Sequence, residues 1–155
     1  MIVVVTGDLV KLTFSARWDV IVHGCNCFCT MGAGIAKQIK ETFPIAYKAD
    51  CSTTTGDRKK LGSYTSASIK YPNPPNPPHD LTIVNAYTQY KYGTGMHVDY
   101  EAIGCVFHSL AEDFKGKRIV YPKIGADCDA GGDWDIISKI INKELHGFDH
   151  TLVIY

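Results

Sequence analysis

The apolar residues fall into short β-branched runs separated by longer stretches with helical spacing. Residues 2–5 (IVVV) and 20–22 (VIV) are unbroken apolar runs, the pattern of strands covered on both faces. In residues 33–43, Ile35, Ile39 and Phe43 recur on one helical face, and Pro44 follows as a stop. Residues 64–69 and the stretch LTIVNAYTQ from Leu81 read as strands. Residues 97–114 predict a helix with Ile103, Val106, Phe107 and Leu110 inward. RIVYPKIG reads as a strand running into a glycine. Residues 134–145 predict a helix with Ile136, Ile137, Ile140 and Ile141 on its apolar side, and TLVIY closes the chain as a strand. Strands alternating with helices predict an α/β fold with a mainly parallel core sheet. Ligands of such folds bind beyond the carboxyl ends of the strands, which directs attention to the loops after Val5, Val22, Ala86 and Tyr121.

The length of 155 residues suits one domain spanning residues 1–155. YPNPPNPPHD, residues 71–80, is too rich in proline for helix or central strand, and apolar strands flank it closely, so it reads as a stiff surface loop. Lys plus Arg equals Asp plus Glu, 16 each, which argues against a dedicated nucleic-acid or membrane-surface binder. The opening MIVVVTGDL has neither a basic region nor a cleavage signal and reads as a first strand, not a secretory peptide. The six cysteines therefore suggest a reduced, cytoplasmic setting more than a disulfide framework.

Four stretches carry candidate chemistry. TGDLVKL, residues 6–12, ends a strand on a glycine and an aspartate; Asp8 suits either a helix cap or acceptance of a hydrogen bond from an exocyclic amine. MGAGIAKQI places small residues at a strand-to-helix turn, where backbone amides and the helix N-terminus attract an anion, yet it matches neither the dinucleotide nor the P-loop signature. Cys25, Cys27 and Cys29 are spaced C-x-C-x-C, unlike the C-x-x-C of structural zinc sites, although His23 offers a fourth ligand. A nucleophilic cysteine would need a nearby base such as His23, and burial as core filler is the third reading. PKIGADCDAGGDW, residues 122–134, runs from a strand through glycines to Asp133, a good N-cap.

GDL, HGCNCFCTMGAGIA, PKIGA…GGDW and a terminal LVIY occur in the order and spacing of a macro domain, and the chain resembles that family along its whole length. It is most similar to the branch of ADP-ribose 1″-phosphate phosphatases and terminal ADP-ribose protein glycohydrolases. The resemblance implies a three-layer α/β/α fold with a mixed, mainly parallel central sheet and ADP-ribose in a cleft across its top. It implies that Asp8 bonds the adenine amine beside the Leu9 backbone, and that Tyr155 lies near the adenine ring. Asn26 would hold the distal ribose, and Gly32, Ala33, Gly34 and Ile35 would cradle the diphosphate and distal ribose. Ile124, Gly125 and Ala126, with Gly131 and Gly132, would form the opposite wall. On this view Cys25 and Cys27 are packing, and neither metal nor cofactor is needed. The implied activity is phosphate removal from ADP-ribose 1″-phosphate, with Asp99 as nucleophile or base, His23 as acid or phosphate ligand, and Asp129 a further candidate. Removal of ADP-ribose from acidic side chains of ADP-ribosylated protein, or binding without chemistry, are the alternatives. The loop IGADCDAGGDW is one residue longer than the family pattern and adds Asp127 and Asp129. A lysine nucleophile is disfavoured, because the strand end offers Tyr87, Thr88 and Gln89, with Lys91 only beyond.

Overall fold

The computed structural model describes residues 3–93, 95–127 and 130–155. Six strands form one mixed sheet: β1 (Val3–Thr6), β2 (Val20–Cys25), β3 (Tyr64–Lys70), β4 (Asp80–Tyr87), β5 (Ile119–Tyr121) and β6 (His150–Ile154), in the order β1-β6-β5-β2-β4-β3. Every pairing is parallel except β3 with β4. Among the described residues five α-helices cover the faces: α1 (Leu9–Thr13), α2 (Gly34–Thr42), α3 (Pro44–Cys51), α4 (Tyr100–Asp113) and α5 (Trp134–Glu144).

Side-chain alternation along the strands sorts the core into two layers. Val20 and Val22 of β2 face one way with Val84 and Ala86 of β4, against Ile103, Val106, Phe107 and Leu110 of α4 and Ile137 and Ile141 of α5. Ile21 and Cys25 face the other way with Ile83 and Tyr87, against Leu9 and Val10 of α1, Ile39 of α2 and Ala46 of α3. The result is the three-layer arrangement expected. Because the crossovers are helical and the core strands parallel, the loops after β1, β2, β4, β5 and β6 all open at one edge of the sheet.

Two helices escape the sequence reading. Pro44 ends α2 as expected but also begins α3, since its fixed φ suits the first helical turn. The short α1 follows the Asp8 cap directly. No helix among the described residues is long and apolar enough to cross a membrane.

Candidate functional site

A cleft of about 810 Å³ runs along the carboxyl ends of the parallel strands. At the β1–β6 end it is lined by Asp8, Leu9 and Tyr155. In the middle, Gly32, Ala33 and Ile35 after β2 share it with Ile124, Gly125 and Ala126 after β5. At the β2–β4 end stand Asn26, Thr30, Asp50, Gln89 and Tyr92, with His23 bordering from beneath.

The turn into α2 is built for exposed backbone. Cys29 and Met31 hold φ values of 57° and 38°, a left-handed conformation that costs a non-glycine residue free energy and concentrates at functional sites. α2 then begins with no side-chain hydrogen bond at its cap, Ala33. Its first-turn amides are thereby left for a ligand, and the helix dipole favours an anion there. α1, α4 and α5 begin differently, since Asp8, Asp99 and Asp133 each accept a bond from a first-turn amide. Gly34, the first residue of α2, does not itself line the cleft; its φ is +57°, and a Cβ there would meet nothing within 4 Å. Asn26 shapes the same loop: its Oδ1 accepts from Phe28 N at 2.8 Å and its Nδ2 donates to Thr30 Oγ1 at 2.7 Å.

Several expected residues lie elsewhere. Gly131 and Gly132 do not line the cleft. A Cβ on Gly131 would strike the Gly95 carbonyl, and one on Gly132 the Gly125 carbonyl and Val98. They are glycines because the loop packs closely on its neighbours. Asp99 is the N-cap of α4, with Oδ1 accepting from Ala102 N at 2.9 Å, and it is not part of the cleft lining. The structure therefore does not bring Asp99 and His23 together at the rim. Asp129 lies outside the described residues. Asp127 lines the cleft but turns Oδ1 back onto the Ala130 amide, 2.8 Å away.

His23 is a core residue, 1% exposed. It stands opposite Asn85 in the β2–β4 register, on the sheet face that α3 covers. Asn85 Nδ2 donates to Ala46 O, so its Oδ1 is the acceptor at 2.7 Å from His23 Nε2, which then carries the proton. Burial lowers the pKa of His23 to about 4, opposed by the bond to Asn85, so the ring is neutral at pH 7 and cannot serve as a cationic phosphate ligand. Cys25 and Cys27 are both buried in the core on this side of the sheet, and burial pushes the Cys25 thiol well up, which makes it a poor nucleophile.

The comparisons accord with this geometry. The chain is 39% identical over 143 residues to an uncharacterised 17.5 kDa protein of Enterobacteria phage T4, covering 89% of this chain and 86% of that protein. It is 33% identical over 150 residues to an ADP-ribose 1″-phosphate phosphatase of Debaryomyces hansenii, covering 94% of this chain and 70% of the other. The chain belongs to the macrodomain family. No protein-family model matches it. Among solved structures, the DarG macrodomain of Thermus aquaticus superposes with a TM-score of 0.70 at 22% identity, over 100% of this chain and 98% of that one. Thermosipho africanus DarTG, solved in complex with ADP-ribose, gives 0.72 at 18% identity, over 99% of this chain and 42% of that one.

This macrodomain also places residues in the cleft that sequence reasoning missed: Gln38, Asp50, Gln89, Tyr92 and Lys123. Lys123 was within reach, because it sits inside the PKIG stretch beside Ile124. Asp50 carries no local signal. In α3 it reads as an ordinary polar helix position, and only the packing of α3 on β3 and β4 buries it.

Proposed function

We propose that this macrodomain binds ADP-ribose in the cleft and hydrolyses the terminal phosphate of ADP-ribose 1″-phosphate. The observation that carries the reading is the uncapped start of α2 opening into the cleft across from residues 124–126. An extended ligand with a diphosphate at its centre suits that spacing: adenine at Asp8, Leu9 and Tyr155, the diphosphate at the α2 amides, the second sugar toward Asn26 and Thr30. Lys123 is the only lysine lining the cleft among the described residues, and it supplies the cation that a phosphate-rich ligand requires. The similarity to the Debaryomyces phosphatase supports the reaction class. In such a hydrolysis water attacks phosphorus, the bond from phosphorus to the sugar oxygen breaks, that oxygen leaves as a hydroxyl with a proton from the water, and inorganic phosphate is released.

The test is incubation with ADP-ribose 1″-phosphate and, in parallel, with ADP-ribosylated protein, together with calorimetry on ADP-ribose. One ADP-ribose per chain and released phosphate are expected. Lys123→Ala should weaken ADP-ribose binding about 10- to 100-fold, the scale of a charge-assisted hydrogen bond. Absence of binding would overturn the reading altogether. Binding without phosphate release would make the domain a reader, and release of ADP-ribose from protein would make it a protein de-ADP-ribosylase.

A further inference from the structure

Asp50 is held at a cost that its surroundings do not offset. It is 1% exposed and sits in the last turn of α3, where the helix dipole disfavours a carboxylate. Tyr87 donates its hydroxyl to Oδ1 at 2.8 Å. Oδ2 is buried with no hydrogen-bond partner among the described residues. The cation that acts on this carboxylate, Lys60, is itself occupied: its Nζ donates to Cys27 O at 3.1 Å and lies 4.7 Å from the centre of the Tyr87 ring. Burial pushes the Asp50 pKa up, with the Tyr87 bond and Lys60 pulling the other way. Among the described residues two other buried side-chain atoms lack partners, Thr88 Oγ1 and Asn142 Oδ1, but both are neutral and neither residue lines the cleft. Asp50 does line it, at the β2–β4 end beside Cys25, Asn26 and Thr30. A native fold rarely leaves a buried carboxylate oxygen unpaired without a use for it.

We propose that Asp50 is a specificity-determining carboxylate of the cleft, its free Oδ2 accepting a hydrogen bond from an O–H group that the ligand brings to the β2–β4 end. The O–H is a hydroxyl of the second sugar; Oδ2 has no room beside it for a water in this structure, so the contact forms with a shift of the Asp50 side chain toward the cleft it lines. The assignment rests on the ADP-ribose reading above, which places that sugar at this end. Its consequence is a preference for ligands that extend past the diphosphate into a hydroxyl-bearing group. Tyr87, which does not line the cleft, is a positioning residue: its hydroxyl occupies Oδ1 and leaves Oδ2 as the free acceptor. Its other hydroxyl contact is Thr65 Oγ1 at 2.9 Å.

Calorimetry with ADP-ribose and with ADP tests this on the full chain. ADP carries the adenosine and diphosphate but lacks the second sugar. Asp50→Asn and Asp50→Ala should each lower ADP-ribose affinity about tenfold or more, while ADP affinity stays within about twofold of the parent. Tyr87→Phe should give a smaller loss of the same selectivity, and should add nothing once Asp50 is replaced. Thermal melts show that each variant is folded. Equal losses for ADP-ribose and ADP would mean that Asp50 only supports the fold, and unchanged ADP-ribose affinity would remove it from the site; either result overturns the proposal. A parent that binds neither ligand would instead overturn the ADP-ribose reading on which it rests.

Discussion

The Asp8 carboxylate caps α1 through Oδ1, which accepts from Lys11 N at 3.2 Å, while the residue also faces the cleft. Replacement by alanine would therefore remove a helix cap together with any ligand contact. Asparagine separates the two roles, because it caps helices about as well as aspartate, but with its one oxygen on the Lys11 amide it turns an NH2 donor toward the adenine amine where aspartate offers a second acceptor. Asp8→Asn is expected to leave thermal stability nearly unchanged and to weaken ADP-ribose binding about 5- to 150-fold, the range for a polar partner lost from a buried contact. Parental affinity in that variant would remove Asp8 from adenine recognition. His23 shows the converse case. A histidine after a buried strand reads equally well as acid, metal ligand or core residue, and only its cross-strand partner Asn85 decides among them.

Among the elements, α2 and α4 begin at opposite extremes. α4 has its first turn satisfied by Asp99, whereas α2 has no side-chain cap and opens into the cleft. A cap and a ligand compete for the same amides, so of these two helices α2 is the one suited to an anion. The expectation for Asp99 follows from its bond to Ala102 N. Asp99→Ala should cost about 1 kcal/mol of stability and Asp99→Asn almost nothing, with phosphate release from ADP-ribose 1″-phosphate close to parental in Asp99→Asn. Turnover assays beside denaturant melts check both. A loss of about 100-fold in Asp99→Asn with stability intact would restore a catalytic role.

At the scale of the whole molecule, acid sensitivity comes from the core more than from the cleft. Burial lowers the pKa of His23 to about 4, and burial also lowers that of His150, which shares a 2.7 Å hydrogen bond with the Tyr121 hydroxyl. Both rings therefore hold a proton less readily in the fold than in the unfolded chain, where histidine titrates near about 6.5. Below that pH the unfolded chain takes up protons that the folded chain refuses, so stability is full above about pH 6.5 and falls as pH drops toward 4. For His23 alone the loss reaches about 3 kcal/mol, at roughly 1.4 kcal/mol per pH unit. Urea unfolding at pH 7.5 and pH 4.5 measures it. An unchanged midpoint would contradict imidazoles whose protonation burial disfavours.

Local pattern carried much of this protein. Periodicity along the chain was enough for the six strands, for α2, α4 and α5, and for the strand-end loops that build the cleft, because strand and helix periods are properties of consecutive residues. It missed α1, which is five residues long, and α3, whose opening proline resembles a stop. The cradle at residues 32–35 was also legible, since small residues before a helix have a local meaning. Tertiary packing alone decided which polar groups reach the cleft. Gly131 and Gly132 serve close packing, His23 is buried against Asn85 and only borders the cleft, and Asp50 is carried from an ordinary helix position to the cleft wall. Each of these outcomes depends on partners at least 30 positions away or on a neighbouring layer, and no window of consecutive residues contains them.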